Sequence, residues 1–312
     1  MSPKTHLYAF QMHKNTHSPP ENNVQQKFFE KHPRYHFLKF MLNHRLHRLF
    51  TLIVFKLMYW LWFKPMNRLE LRGKQHIKYI QQEHQNRPFL IIENHSLNAD
   101  VMMHYSIWGH LGFVTHVFTS RSAFQAEHPV FTNLTHFIEM IPRYGNGKSN
   151  VQRMVRFLKR GDIVNLFPAG TYPSGEYVNS GLVQEAFSGG ARVAYNYWKQ
   201  TGKKLLIQPV CSIGGNKAYP PRTWAPPDPM INHKIIVKFG EPFYLEFSDE
   251  IDYEEIREKT EEMQKKIAEI WGQKRLIPNH IRNRYKKKQS EPKKPRFYGK
   301  KRKKKKKNKK KS

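Results

Sequence analysis

One cysteine, Cys211, is all that this chain of 312 residues contains, which excludes an internal disulfide and suits a reducing compartment. The first 33 residues hold no continuous apolar stretch, so a cleaved signal peptide is not expected. No internal repeat is present, and no apolar run reaches the roughly 20 residues that a self-sufficient spanning helix needs. Acid is scarce as well, with 24 Asp plus Glu against 55 Lys plus Arg, a formal net charge of +31. Residues 282–312 alone carry 19 of those basic residues and one acid, Glu291. The rest of the chain still has 36 basic residues against 23 acidic, so a basic tail and a basic body need separate explanations.

What is present divides the chain into four parts. Residues 1–33 are rich in Pro, Asn, Gln, Lys and His without periodicity and read as a flexible lead-in. Residues 34–68 contain the apolar run Leu49 to Phe63, flanked before it by Arg34, Lys39, Arg45 and Arg48 and carrying Tyr59, Trp60 and Trp62 near its end. Cations and amphipathic aromatics at the two ends suit a headgroup layer, so this part reads as a membrane-associated helical segment lying in one leaflet. A helix buried in the core and a true span are the alternatives. Residues 282–312 are a self-repelling, low-complexity basic tail, expected to be disordered.

Between them, residues 69–281 alternate short apolar runs with helical patterns, which predicts an α/β domain with a mixed central sheet flanked by helices. Strands are expected at Phe89–Ile92, Val114–Phe118, Ile138–Ile141, Ile163–Phe167, Leu205–Val210 and Ile235–Phe239. Helices are expected at Lys148–Lys159 and Val183–Trp198. Ile256, Met263, Ile267, Ile270 and Trp271 recur at helical spacing and predict a closing amphipathic helix.

Directly after the apolar run at Phe89–Ile92 comes Asn94-His95-Ser96-Leu97-Asn98-Ala99-Asp100. A histidine just beyond a buried strand, with a carboxylate near enough to orient its ring, is the usual construction of a general base. On a regular helix an offset of five residues turns two side chains about 140° apart, so His95 and Asp100 meet only if the turn is irregular and the helix starts later. Asn98 offers a cap for that helix.

Three further segments follow in order: Ile141-Pro142-Arg143-Tyr144-Gly145, Leu166-Phe167-Pro168-Ala169-Gly170-Thr171-Tyr172, and Ile207-Gln208-Pro209-Val210. With the His95 segment, they resemble the four sequence blocks of the glycerolipid acyltransferases, the lysophosphatidic acid acyltransferases and their relatives. The resemblance covers roughly Leu69 to Phe243. It implies that His95 deprotonates an acceptor hydroxyl, that Asp100 orients the imidazole, and that the hydroxyl attacks the thioester of acyl-CoA or acyl-carrier protein. Such a reaction uses no covalent acyl-enzyme and no cofactor beyond the acyl donor. Arg143 would bind the acceptor's phosphate, and Phe167, Pro168, Gly170, Thr171 and Tyr172 would line the acceptor site.

The third block departs from the usual Phe-Pro-Glu-Gly-Thr-Arg, with Ala169 for the glutamate and Tyr172 for the arginine. Phe-Pro-Ala-Gly occurs in a related branch acting on aminolipids such as lyso-ornithine lipid, which becomes an alternative acceptor class beside 1-acyl-glycerol-3-phosphate. A noncatalytic lipid-binding relative is a further alternative. Glu176 is a possible replacement carboxylate or a solvated turn residue.

Two other patterns lead nowhere. Gly145-Asn146-Gly147-Lys148-Ser149 ends like a phosphate-binding loop, but Pro142 stands where its first glycine belongs. His104, His110 and His116 are spaced by six, which fits no zinc pattern, so no metal site is expected. The tail suits the anionic surface of membrane lipids, with nonspecific nucleic acid and an acidic acyl carrier protein as other partners. A membrane-associated enzyme on the cytoplasmic face, the inner membrane in a bacterium, is the expected location.

Overall fold

The computed structural model describes residues 44–84, 87–96, 100–119, 140–143, 147–171, 173, 177, 180–218, 233–280 and 283. The lead-in and nearly all of the basic tail lie outside these residues, as do Asn98, Tyr172 and Glu176. Seven strands occur among the described residues: β1 (Glu70–Arg72), β2 (Phe89–Glu93), β3 (Thr115–Thr119), β4 (Ile141–Pro142), β5 (Ile163–Leu166), β6 (Leu206–Ile213) and β7 (Ile236–Phe239). They form one sheet in the order β1-β7-β6-β2-β5-β3-β4.

The sheet is mixed, as the pattern predicts. Strand β2 pairs in parallel with β5 and β6, β3 in parallel with β5 and β4, whereas β6 and β7 run antiparallel. The ends of β2, β4 and β5 therefore share one edge of the sheet, the usual location of ligand sites in α/β folds. That edge receives the segments beginning at Asn94, Arg143 and Phe167.

Strand β2 occupies the middle of the sheet and is buried along its whole length, which explains its unbroken apolar run. Alternate side chains enter opposite faces. Leu90 and Ile92 join a cluster with Val155, Leu158, Ile207 and Ile267, packed under α4 (Gly147–Lys159), α5 (Gly189–Thr201) and α6 (Tyr253–Trp271). Phe89 and Ile91 face Ile77, Ile80, Met103 and Trp108, carried by α2 (Lys74–Glu83) and α3 (Asp100–His110). Each fully buried aliphatic contributes roughly 1.5–3 kcal/mol, so two filled faces hold the strand that ends at the site.

Helix α6 buries Ile256, Met263 and Ile267 as expected, and Asp252 caps it by accepting from the Glu255 backbone N–H at 2.7 Å. The helix expected at Val183–Trp198 begins only at Gly189. Residues 181–187 are extended instead, because their backbone is used elsewhere: Ile277 N–H donates to Val183 O at 3.1 Å and Glu185 N–H donates to Ile277 O at 2.9 Å. Strand β1 has three residues, too short to leave a pattern.

The N-terminal apolar segment is one helical run: α1 (His44–Met58), a π-helical turn (Tyr59–Phe63) and a last turn (Lys64–Met66). Pro65 has no N–H to return to Leu61 and its ring crowds that carbonyl, which accounts for the widened turn before it. By length and composition alone, Leu49–Met66 is long and apolar enough to cross a membrane, longer than the apolar run by itself implied. One face is nevertheless docked on protein, with Thr51, Phe55, Tyr59 and Phe63 buried. Helix α3 permits the approach through Gly109, where an added Cβ would sit 2.6 Å from that of Phe55. The other face exposes Leu49, Phe50, Ile53, Leu57, Trp60 and Leu61.

Candidate active site

Strand β2 hands the chain to the site through Asn94, whose side chain behaves as one more pair of strand hydrogen bonds. Its Oδ1 accepts from the Ser212 N–H at 2.7 Å, and its Nδ2 donates to the carbonyls of Ser212 at 3.0 Å and Gly181 at 3.3 Å. The next residue, His95, is thereby fixed at the end of the central strand.

His95 Nδ1 lies 2.7 Å from Asp100 Oδ2. The five-residue offset does not lie along one helix, since His95 and Ser96 stand outside regular secondary structure while Asp100 belongs to α3. Asp100 is fully buried, while the His95 side chain remains 18% exposed. The same Oδ2 also accepts from the Ser96 backbone N–H at 2.7 Å, and Ser96 Oγ approaches Oδ1 at 3.4 Å. A carboxylate at the first residue of a helix is further favoured by the helix dipole.

The ring of Phe167 stacks on His95, with centroids 4.8 Å apart and 26° between planes. Phe167 follows β5, the neighbour of β2, and opens the third block. That loop turns sharply: Gly170 N–H donates to Phe167 O at 2.9 Å with Gly170 at φ +65°, a conformation that favours glycine. The loop is fastened from outside, since Pro168 O accepts from Phe187 N–H at 3.0 Å and Thr171 O from Gln184 Nε2 at 2.8 Å. Asn279 Nδ2 donates to Ala169 O and to Glu185 O, each at 2.9 Å. Ala169, the residue that replaces the expected glutamate, is buried.

Arg143 stands on the same edge, exposed, directly after β4, with its N–H on Thr119 O at 2.9 Å. Three strand spacings separate β4 from β2, about 14 Å. The structure thus brings His95, Asp100 and Phe167 into contact and places Pro168, Gly170 and Thr171 in the adjoining loop. Arg143 stands further along the edge, and Tyr172 lies outside the described residues.

Residues 68–213 match the sequence model of the family described as Acyltransferase. This part of the chain belongs to the acyltransferase family. The matched stretch contains all four blocks and every residue of the site just described except Asn279, and the enzyme is an acyltransferase. Its fold is similar to that of the 1-acyl-sn-glycerophosphate (LPA) acyltransferase PlsC from Thermotoga maritima, with TM-score 0.53 and 17% identity over 80% of this chain and 95% of that one. At this identity the likeness bears on fold. No curated protein sequence matches the chain.

The acyltransferase also contains polar residues at the site that the sequence did not single out. Glu93, the last residue of β2, has Oε2 2.8 Å from His104 Nδ1 and accepts from Ser212 Oγ at 2.7 Å through Oε1. Asn165 of β5 places Nδ2 2.5 Å from the His104 ring nitrogens. All four side chains are buried. A charged residue ending an otherwise apolar strand was the available signal for Glu93. Asn279 gave none, because it lies far along the chain from the loop it holds.

The other two histidines of the six-residue spacing sit apart from His104. His110 stacks on Tyr59 at 3.9 Å, and His116 lies 3.8 Å from Asp162. No cluster of three potential metal ligands occurs among the described residues. Cys211 is buried in the core, where burial foremost, then the nearby Glu93, pushes its thiol pKa up. Such a thiol is a packing residue.

Proposed function

We propose that this acyltransferase moves a fatty acyl group from acyl-CoA or acyl-carrier protein to a hydroxyl of a lysolipid, foremost 1-acyl-glycerol-3-phosphate, in phospholipid synthesis. The observation that carries the reading is the 2.7 Å contact between His95 Nδ1 and the buried Asp100, beside an imidazole that reaches solvent. Asp100 holds the Nδ1–H tautomer, so Nε2 takes the proton from the acceptor hydroxyl. The alkoxide oxygen forms its bond to the thioester carbonyl carbon, the carbon–sulfur bond then breaks, and the leaving thiolate recovers the proton from the imidazolium. Asp100 stabilises that cation while it exists. The loop Phe167–Thr171 flanks the reacting carbon, and Arg143 receives the acceptor's phosphate through a charge-assisted pair.

Membrane association follows from the outward face of α1 and the π turn, whose exposed apolar side chains suit the acyl boundary of a leaflet while the opposite face stays on α3. With donors made in the cytosol, the cytoplasmic face is the working side.

Buried Ala169 favours one second reading, an aminolipid acceptor of the lyso-ornithine type, because the third block offers no carboxylate at that position. Incubating the full chain with labelled acyl-CoA or acyl-carrier protein and a panel of both lysolipid classes, then weighing the products, decides between them. Diacylated phosphatidate is expected from wild type and not from His95→Ala. An acylated aminolipid alone selects the second reading, and no product from any acceptor sinks both.

A further inference from the structure

We propose that Glu93 and His104 are positioning residues for the catalytic pair, a second, buried histidine–carboxylate couple that sets the rotation of α3 and thereby places Asp100 on His95. The inference rests on the acyl-transfer reading of His95.

The argument begins with spacing. Asp100 and His104 are four residues apart on α3, hence on one face of the helix. Both point back at the end of β2: Asp100 reaches His95 and the Ser96 N–H, and His104 reaches Glu93. Packing of Met103 and Trp108 limits the roll of α3 about its axis, as does the Tyr105 hydroxyl, which accepts from the Val117 N–H at 3.1 Å. These act on other sides of the helix than Asp100, where a small residual roll would swing the carboxylate oxygen away from Nδ1. Directed attachments on successive turns of that face remove the residual roll.

The second attachment is itself referenced to the sheet. Glu93 is tied to Ser212 of β6 on one side, and His104 abuts Asn165 of β5 on the other. Since β6, β2 and β5 are neighbours, the couple registers α3 against three central strands at once. His104 also meets the edge of Phe167, with centroids 6.4 Å apart and planes at 72°, while the face of Phe167 lies on His95. The Phe167 ring thus touches both imidazoles, so the packing of one bears on the packing of the other.

The chemistry of the couple argues against a purely stabilising role. A buried carboxylate and imidazole amid Trp108 and Phe167 give up their hydration to be there, and apolar residues of similar volume commonly serve a fold as well or better. What apolar side chains lack is direction. A hydrogen-bonded couple specifies one rotation of the helix.

The test uses the full-length protein in detergent micelles with 15N-labelled histidine. The hydrogen-bonded Nδ1–H of His95, assigned by its disappearance in His95→Gln, is followed together with kcat and donor KM. In Glu93→Leu/His104→Leu the resonance is expected to broaden into exchange with water. There kcat should fall at least about tenfold per folded molecule, with donor KM changed less than about twofold, since a misplacement on the scale of 1 Å costs up to ~100-fold. Glu93→Gln keeps an acceptor for His104 and should retain the resonance and kcat within about threefold.

A folded double variant with wild-type resonance and kcat overturns the proposal, as does Glu93→Gln losing both. Should the double variant fail to fold, Ser212→Ala is the milder arm. It removes one hydroxyl from Glu93 and is expected to speed exchange of the His95 proton and lower kcat at least about fivefold; wild-type exchange with kcat within about threefold is again decisive against the proposal. If wild type transfers no acyl group at all, the functional reading fails, while the resonance still judges the positioning.

Discussion

Replacing Asp100 by asparagine separates the charge of this residue from its geometry. Two short hydrogen bonds to Asp100, from His95 and from the Ser96 N–H, fall on the same oxygen, Oδ2. An asparagine with its carbonyl oxygen there accepts both, and its amide nitrogen turns toward Ser96 Oγ, near the other oxygen position. The Nδ1–H tautomer of His95 is therefore kept, and the fold should change little. What disappears is the negative charge opposite the imidazolium that the proposed mechanism forms during transfer. With charge centres about 4 Å apart and an effective dielectric near 20, that attraction amounts to about 4 kcal/mol. The neutral hydrogen bond that remains returns part of it, because a charge-assisted bond is roughly twice as strong as a neutral one. A net loss of about 2–4 kcal/mol corresponds to a fall in kcat of roughly 30- to 1,000-fold. Steady-state transfer of a labelled acyl group, with folding checked by circular dichroism, reads the result. If folded Asp100→Asn works within about threefold of wild type, no imidazolium forms opposite Asp100 in the rate-limiting step and the base mechanism is wrong.

Two further outcomes concern the N-terminal helix. Changing Ile53, Leu57 and Leu61 together to serine removes three half-exposed apolar side chains from the outward face. At roughly 1 kcal/mol for each already half-solvated side chain, vesicle partitioning should drop about 100-fold with little change in melting temperature; unchanged sedimentation with vesicles would contradict a leaflet-facing role. His110, stacked on Tyr59 where this helix meets α3, has its pKa held below the ordinary histidine value by burial first and then by Lys74, Lys56 and Lys64. The stability linked to its neutral form is present above about pH 6.5 and is lost as pH falls through that value toward the lowered one. Tryptic cleavage after Lys56 should accelerate on acidification, and His110→Phe, which keeps a ring on Tyr59, should abolish the dependence.

The parts of this fold that could be read in the sequence are those whose partners impose a pattern on adjacent residues. Strand β2 is sandwiched between two cores, so every residue from Phe89 to Ile92 is apolar and the run is visible. Helix α6 buries one face, so Ile256, Met263 and Ile267 keep helical spacing. Residues 183–187 carry a helical pattern but are extended, because the carbonyls and N–H groups that hold them belong to the segment around Ile277, almost a hundred positions on. The site divides in the same way. His95 and Asp100 stand in one short segment, while Glu93 meets His104 across a turn and Ser212 across the sheet, pairings that leave no local period.

The clasp of Asn279 on Ala169 fixes an order of events during synthesis. The loop beside His95 is made early relative to this tie, since the Ala169 carbonyl finds its donor only when Asn279, 110 residues later, has been added. A growing chain can place α1, pair β2 with β5 and bring Asp100 to His95 while the third block is still untied. The loop that flanks the catalytic pair in the proposed mechanism is tied by a residue beyond the family-matched stretch, so a nascent chain that has not reached Asn279 holds that loop without this clasp.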